Sequence, residues 1–90
     1  IAPVYVAAFS RGMTPAEYRL HLRLVAMKDM GPMQILENRT LALDVPQFTV
    51  SRVDQIQVPM ERDTVKILAY ATLERNGEVV GRHVVTWEPY

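Results

Sequence analysis

From Glu17 to Leu24 the chain alternates polar and apolar side chains without a break, in the run "EYRLHLRL". Period two places Tyr18, Leu20, Leu22 and Leu24 on one face and Glu17, Arg19, His21 and Arg23 on the other, the pattern of a strand with one buried side. A helix start stands just before it. In "MTPAE", Thr14 is an N-cap, Pro15 occupies the first helical position and Glu17 the third, which together make a capping box. Wound as a helix, however, the apolar positions split into two stripes, Tyr18/Leu22/Val25 and Leu20/Leu24/Met27, and Asp29 falls on the first of them. Such a helix needs cover on both sides, whereas a strand needs it on one.

The same punctuation continues along the chain. Six prolines, at positions 3, 15, 32, 46, 59 and 89, adjoin apolar runs without interrupting them. Because proline cannot donate to a sheet ladder, they delimit short elements. Seven segments result: Val4–Phe9, Glu17–Met27, Met33–Glu37, Thr40–Val45, Phe48–Val58, Val65–Glu74 and Glu78–Trp87. The last two flank Asn76-Gly77, a pair that tolerates the positive φ of a tight hairpin turn, so they are expected to pair antiparallel. "DVPQ" reads as a bend, "PMERDT" as a polar loop, "RGMTPA" and "KDMGP" as the turns on either side of Glu17–Met27.

Two folds follow from the two readings of Glu17–Met27. The strand gives an all-β protein, an immunoglobulin-like antiparallel β-sandwich of about seven strands. The helix gives an α+β domain of cystatin-like shape, with Thr14–Met30 across a sheet of four or five strands and "QIQVP" as a binding hairpin. That hairpin lacks the glycine of a cystatin's inhibitory turn. Either way, 90 residues make one domain, 1–90, that buries roughly 60–65% of its unfolded surface. The chain begins with Ile1 and has neither a basic n-region nor a cleavage site, so it reads as a processed product or an excised segment of something longer.

Composition narrows the function. Ten basic and ten acidic residues cancel, and neither sign forms a block, so the electrostatic footprint of a nucleic-acid binder is missing. No apolar run approaches the ~20 residues of a membrane-spanning helix. The absence of cysteine removes disulfides, thiolate nucleophiles and cysteine-based zinc sites.

The run from "APVYV" through "YRLHLRLV" and "LALDVPQFTVSRVDQIQVP" to "VKILAYATLERNGEVVGRHVVTW" resembles the sandwich domains attached to the catalytic barrels of β-galactosidase- and β-mannosidase-type glycoside hydrolases. The likeness lies in the opening strand after "AP", the bend before "VDQIQVP" and the closing hairpin. It spans nearly the whole chain, and "TPAE" departs from it by offering a helix start where the family has a plain turn. The resemblance implies a non-catalytic accessory domain, extracytoplasmic or secreted, that positions a barrel, extends its cleft or supports an oligomer. Its partners would be neighbouring domains or another protein, and it carries over no catalytic residue.

Candidate chemistry is sparse. His21 and His83 are the only histidines and show neither HxH nor HxxxH spacing, so no metal site is predicted. His21 is expected on a solvated face between Arg19 and Arg23. Among carboxylates, Asp54, Glu61 and Asp63 are the ones that could oppose each other across a cleft as a glycosidase requires, yet two fall in a polar loop and one on a strand. Four scattered glycines make no phosphate-cradling loop, and no serine lies in a nucleophile elbow, so neither cofactor nor catalytic residue is assigned. Trp87 and Tyr90 are the candidates for an interface, since aromatic rings concentrate there. "NRT", Asn38–Thr40, matches the N-glycosylation sequon.

Overall fold

The computed structural model describes residues 1–89. They form six strands and no helix: β1 (Ala2–Ala8), β2 (Tyr18–Lys28), β3 (Gln34–Ala42), β4 (Thr49–Ile56), β5 (Thr64–Arg75) and β6 (Glu78–Trp87). All pairings are antiparallel, in a two-stranded sheet β1-β4 and a four-stranded sheet of order β3-β2-β5-β6.

The ambiguous stretch resolves as a strand. "TPAE" begins as a helical cap should, with the Thr14 carbonyl accepting from the Glu17 and Tyr18 amides at 3.1 and 3.0 Å. The turn then stops, because β2 lies between β3 and β5 and its backbone finds partners on both sides. Leu20, Leu22 and Leu24 bury on the inner face while Arg19 and Arg23 stay exposed and His21 is half-buried. Each buried leucine contributes about 1.5–3 kcal/mol, more than the ~1 kcal/mol of a helix cap. The helix over Thr14–Met30, and with it the α+β alternative, is therefore overturned.

Seven expected segments become six strands. Met33–Glu37 and Thr40–Val45 merge into β3, because Asn38 and Arg39, which look like a break, pair in register with Arg23 and Leu22. The chain leaves β3 by burying Leu43 and Val45, each 1% exposed. Val45 exchanges backbone hydrogen bonds with Met13, at 2.8 and 2.9 Å. Gly12 permits this approach: a Cβ there would meet the Val45 carbonyl and the Gln47 amide at 3.2 Å.

The β5-β6 hairpin turns at Asn76 and Gly77, with φ of 51° and 84°, as the Asn-Gly pair predicts. A bulge beside Leu73 and Glu74 sets Val79 opposite Glu74 and Gly81 opposite Leu73. Strict alternation would put Val79 on the face of Trp87; the bulge moves it off that face.

One apolar cluster joins the two sheets. Leu20, Leu22, Leu24, Ala26 and Ile67 of the large sheet pack with Ala8 and Ile56 of the small one, together with Leu43 and Val45. Side chains also tie β3 to β4: Arg39 Nη2 donates to the Gln55 carbonyl at 2.8 Å, and Arg39 Nε stands 3.3 Å from Asp54 Oδ2. No comparable link joins β1 to β6 among the described residues. The two sheets are thus clamped along one margin and open along the other.

Candidate functional site

Three surfaces carry polar or apolar groups beyond what the core requires. On the outer face of the large sheet, β3, β2 and β5 set Thr40, His21 and Thr72 side by side in register. Thr40 Oγ1 lies 2.8 Å from His21 Nδ1, and His21 Nε2 contacts Glu74 Oε2. With the ring proton on Nε2, the Thr40 hydroxyl donates to Nδ1 while Nε2–H donates to the carboxylate. This hydroxyl–imidazole–carboxylate series has the connectivity of a nucleophilic relay.

The surroundings do not complete such a relay. An oxyanion needs N–H groups aimed at the reacting atom, whereas strand amides lie in the plane of the sheet and not toward its face. Thr40 sits within β3 on that flat face, and the imidazole is 43% exposed. The three side chains act as a clip across three strands. Beside them Arg23, Val25, Met33, Ile35 and Tyr70 line a shallow cavity of about 640 Å³.

Of the carboxylates weighed from sequence, Glu61 and Asp63 share one cation and Asp54 has another. Glu61 and Asp63, in the loop before β5, both accept from Lys28 Nζ, at 2.9 and 3.1 Å. The Glu61 hydrogen bond, opposed by desolvation and helped by Asp63, holds the Lys28 ammonium above its usual 10.5. Asp54 faces Arg39. Among the described residues, no group of three or more His, Asp or Glu stands close enough to hold a metal ion.

Trp87, an interface candidate, lies opposite Ile67 and packs against the core, half-buried at the open margin between the sheets. Tyr90 lies outside the described residues. His83 faces the same margin, opposite Ala71, and both line a groove of about 520 Å³.

The third surface is apolar and lies on the small sheet. On the outer face of the small sheet Tyr5 pairs with Arg52 and Ala7 with Val50. Phe9 and Phe48 stand at its end, joined by the Phe48 amide donating to the Phe9 carbonyl at 2.9 Å. Tyr5, Phe9, Phe48 and Val50, on or next to the paired strands β1 and β4, are 59%, 76%, 75% and 65% exposed. Phe48 has φ of 56°. A bulky residue there is strained, and the core gains nothing from a ring left in solvent. The signal was present in "VYVAAF", where Val4, Val6 and Ala8 form one apolar face and Tyr5, Ala7 and Phe9 the other.

No protein-family model, curated protein or solved structure matches the chain.

Proposed function

We propose that the chain is a non-catalytic accessory module of immunoglobulin-like β-sandwich form that docks a neighbouring domain through Tyr5, Phe9, Val50 and Phe48. The observation that carries this reading is the strained, exposed Phe48 within an apolar patch. Backbone strain clusters at sites that bind or switch.

The strand order supports the sandwich form. In variable-type immunoglobulin sandwiches a hairpin and its neighbour extend into a sheet of order C′-C-F-G, opposed by a sheet in which B neighbours E. Here β3-β2-β5-β6 matches the first and β1-β4 the pair B-E. The parent most in keeping with the sequence resemblance is a carbohydrate-active enzyme of the β-galactosidase or β-mannosidase type, with this module bracing its barrel.

Position 50 tests the docking without background, because the chain contains no cysteine. Val50→Cys in the isolated chain should react with a maleimide as a free thiol does. In the natural protein, with labelling located by peptide mapping, the same thiol should react at least about tenfold more slowly. Equal rates in the two would show that nothing covers the patch, and the reading would be withdrawn.

A further inference from the structure

The outer face of the large sheet grades from apolar to cationic along its strands. Register aligns Ile35, Val25 and Leu68 in one row across β3, β2 and β5, and Asn38, Arg23 and Tyr70 in the next. The third row is Thr40, His21 and Thr72, with Arg82 beyond it on β6. The cavity of about 640 Å³ spans these rows, and Met33, just before β3, adds to its apolar end. Val25 lies at its base: it is buried, yet it belongs to the outer face and takes no part in the cluster between the sheets. Met33 and Ile35 beside it stay exposed, so the cavity keeps an apolar wall that the fold does not use.

Charge on this face is one-sided, although the chain as a whole is neutral. Of the residues that register places there, Arg19, Arg23 and Arg82 have no carboxylate partner among the described residues, and Lys66 has Glu88 from beyond β6. The one carboxylate on the face, Glu74, is taken by His21; Glu37, opposite inward-facing Leu24, belongs to the other side. Arg23 is the guanidinium that lines the cavity, with Asn38 and Tyr70 as its cross-strand neighbours. It differs in this from Lys28, Arg39 and Arg75, whose carboxylates the fold itself supplies.

We propose that this cavity binds one amphipathic carboxylate, an aliphatic acid of medium chain length, with its carboxylate on Arg23 and Asn38 and its hydrocarbon over Val25, Ile35 and Met33. A guanidinium presents paired N–H donors that match a carboxylate, and the Asn38 amide adds another. An apolar wall with a few polar groups, in a volume between about 300 and 1,000 Å³, is what small-molecule sites provide. His21 plays no part in holding the acid, because Thr40 and Glu74 engage both of its ring nitrogens. A cationic ligand finds no free carboxylate here, so the site selects by sign as well as by the length of the apolar tail. The site lies on the opposite sheet from Tyr5 and Phe48, and neither surface depends on the other.

The test titrates the chain with octanoate and follows backbone amide chemical shifts, with octanol, octylammonium and acetate as the uncharged, oppositely charged and tail-less controls. Octanoate should shift the amides of Arg23, Val25, Ile35, Asn38 and Tyr70 saturably, with a Kd on the order of 0.1 to 1 mM, and each control should bind at least about tenfold more weakly. Arg23 is exposed, so Arg23→Gln leaves the fold intact and should weaken octanoate at least about tenfold. Arg23→Lys should recover part of that loss. Ile35→Ser, also at an exposed position, should weaken octanoate through the tail, and Val50→Ser on the small sheet should leave it unchanged. The proposal is overturned by the absence of saturable shifts at about 10 mM octanoate, by octanol binding as tightly as octanoate, by undiminished binding to Arg23→Gln, or by shifts centred on Trp87 and the groove between the sheets instead.

Discussion

Phe48 combines a positive φ with an exposed ring. At φ of 56° its Cβ crowds its own backbone, a cost of order 1–3 kcal/mol that asparagine largely avoids. Phe48→Asn should therefore raise the stability of the isolated chain by about 0.5–1 kcal/mol, read as a higher urea midpoint at unchanged slope, and abolish protection of the patch in the natural protein. A lower midpoint would mean that the ring stabilises the fold and that no docking role need be invoked. Lys28 answers to pH. Its raised folded pKa means that its pairing with Glu61 and Asp63 stabilises the fold fully below about 10.5 and ceases to do so as pH rises through the raised value. The stability difference between the natural chain and Lys28→Met should accordingly be constant from pH 7 to 9 and shrink toward pH 12. A difference that persists at pH 12 would assign the effect to packing of the aliphatic stem. The partners of these charges were not readable from the chain, because Lys28 and Glu61 are 33 residues apart and meet only through the β2-β5 ladder.

At the scale of elements, local and long-range signals separate cleanly. Period two was enough to identify β2, since three leucines on one face outweigh a capping box, and Asn76-Gly77 was enough to pair β5 with β6. Leu24, 1% exposed, should cost about 2–5 kcal/mol on replacement by alanine, against under about 0.5 for exposed Arg23, both measured by denaturant melts. Gly77 has φ of 84° and open space around it, so Gly77→Val is penalised by backbone conformation alone. It should destabilise the chain by at least ~1 kcal/mol and change the Trp87 emission as the hairpin register slips. An unchanged midpoint and emission would deny the turn its part in setting that register. What the chain did not disclose is continuity: "ENRT" contains turn-prone residues, yet Asn38 and Arg39 remain in β3 because β2 supplies a ladder there. The bulge beside Leu73 is equally silent in sequence, and it alone decides which face Val79 takes.

For the whole molecule, the all-β class was legible in the alternation, and the exposure of particular rings was not. Trp87 turns inward toward the core, while Tyr5 and Phe9 stand exposed on the small sheet. Their exposure depends on the small sheet having two strands with nothing outside them among the described residues, a property of the assembly of sheets and not of any segment. The carboxylates and the histidine are placed at the same scale. A glycosidase needs two carboxyl groups about 5–10 Å apart facing one substrate bond. Glu61 and Asp63 instead converge on the ammonium of Lys28 at the loop before β5, and Asp54 is held against Arg39 where β3 meets β4. The Thr40, His21 and Glu74 series has a hydroxyl and a base but lies on a flat face without amides directed at a reacting atom. Highly purified chain should accordingly give no turnover of aryl β-galactosides, β-mannosides or aryl esters above the buffer rate between pH 5 and 8. Turnover abolished by Glu61→Gln or Asp63→Asn would locate a glycosidase centre on the loop before β5. Ester hydrolysis abolished by His21→Gln and by Thr40→Val, with melting temperatures unchanged, would make the outer face an active site and end the accessory-module reading.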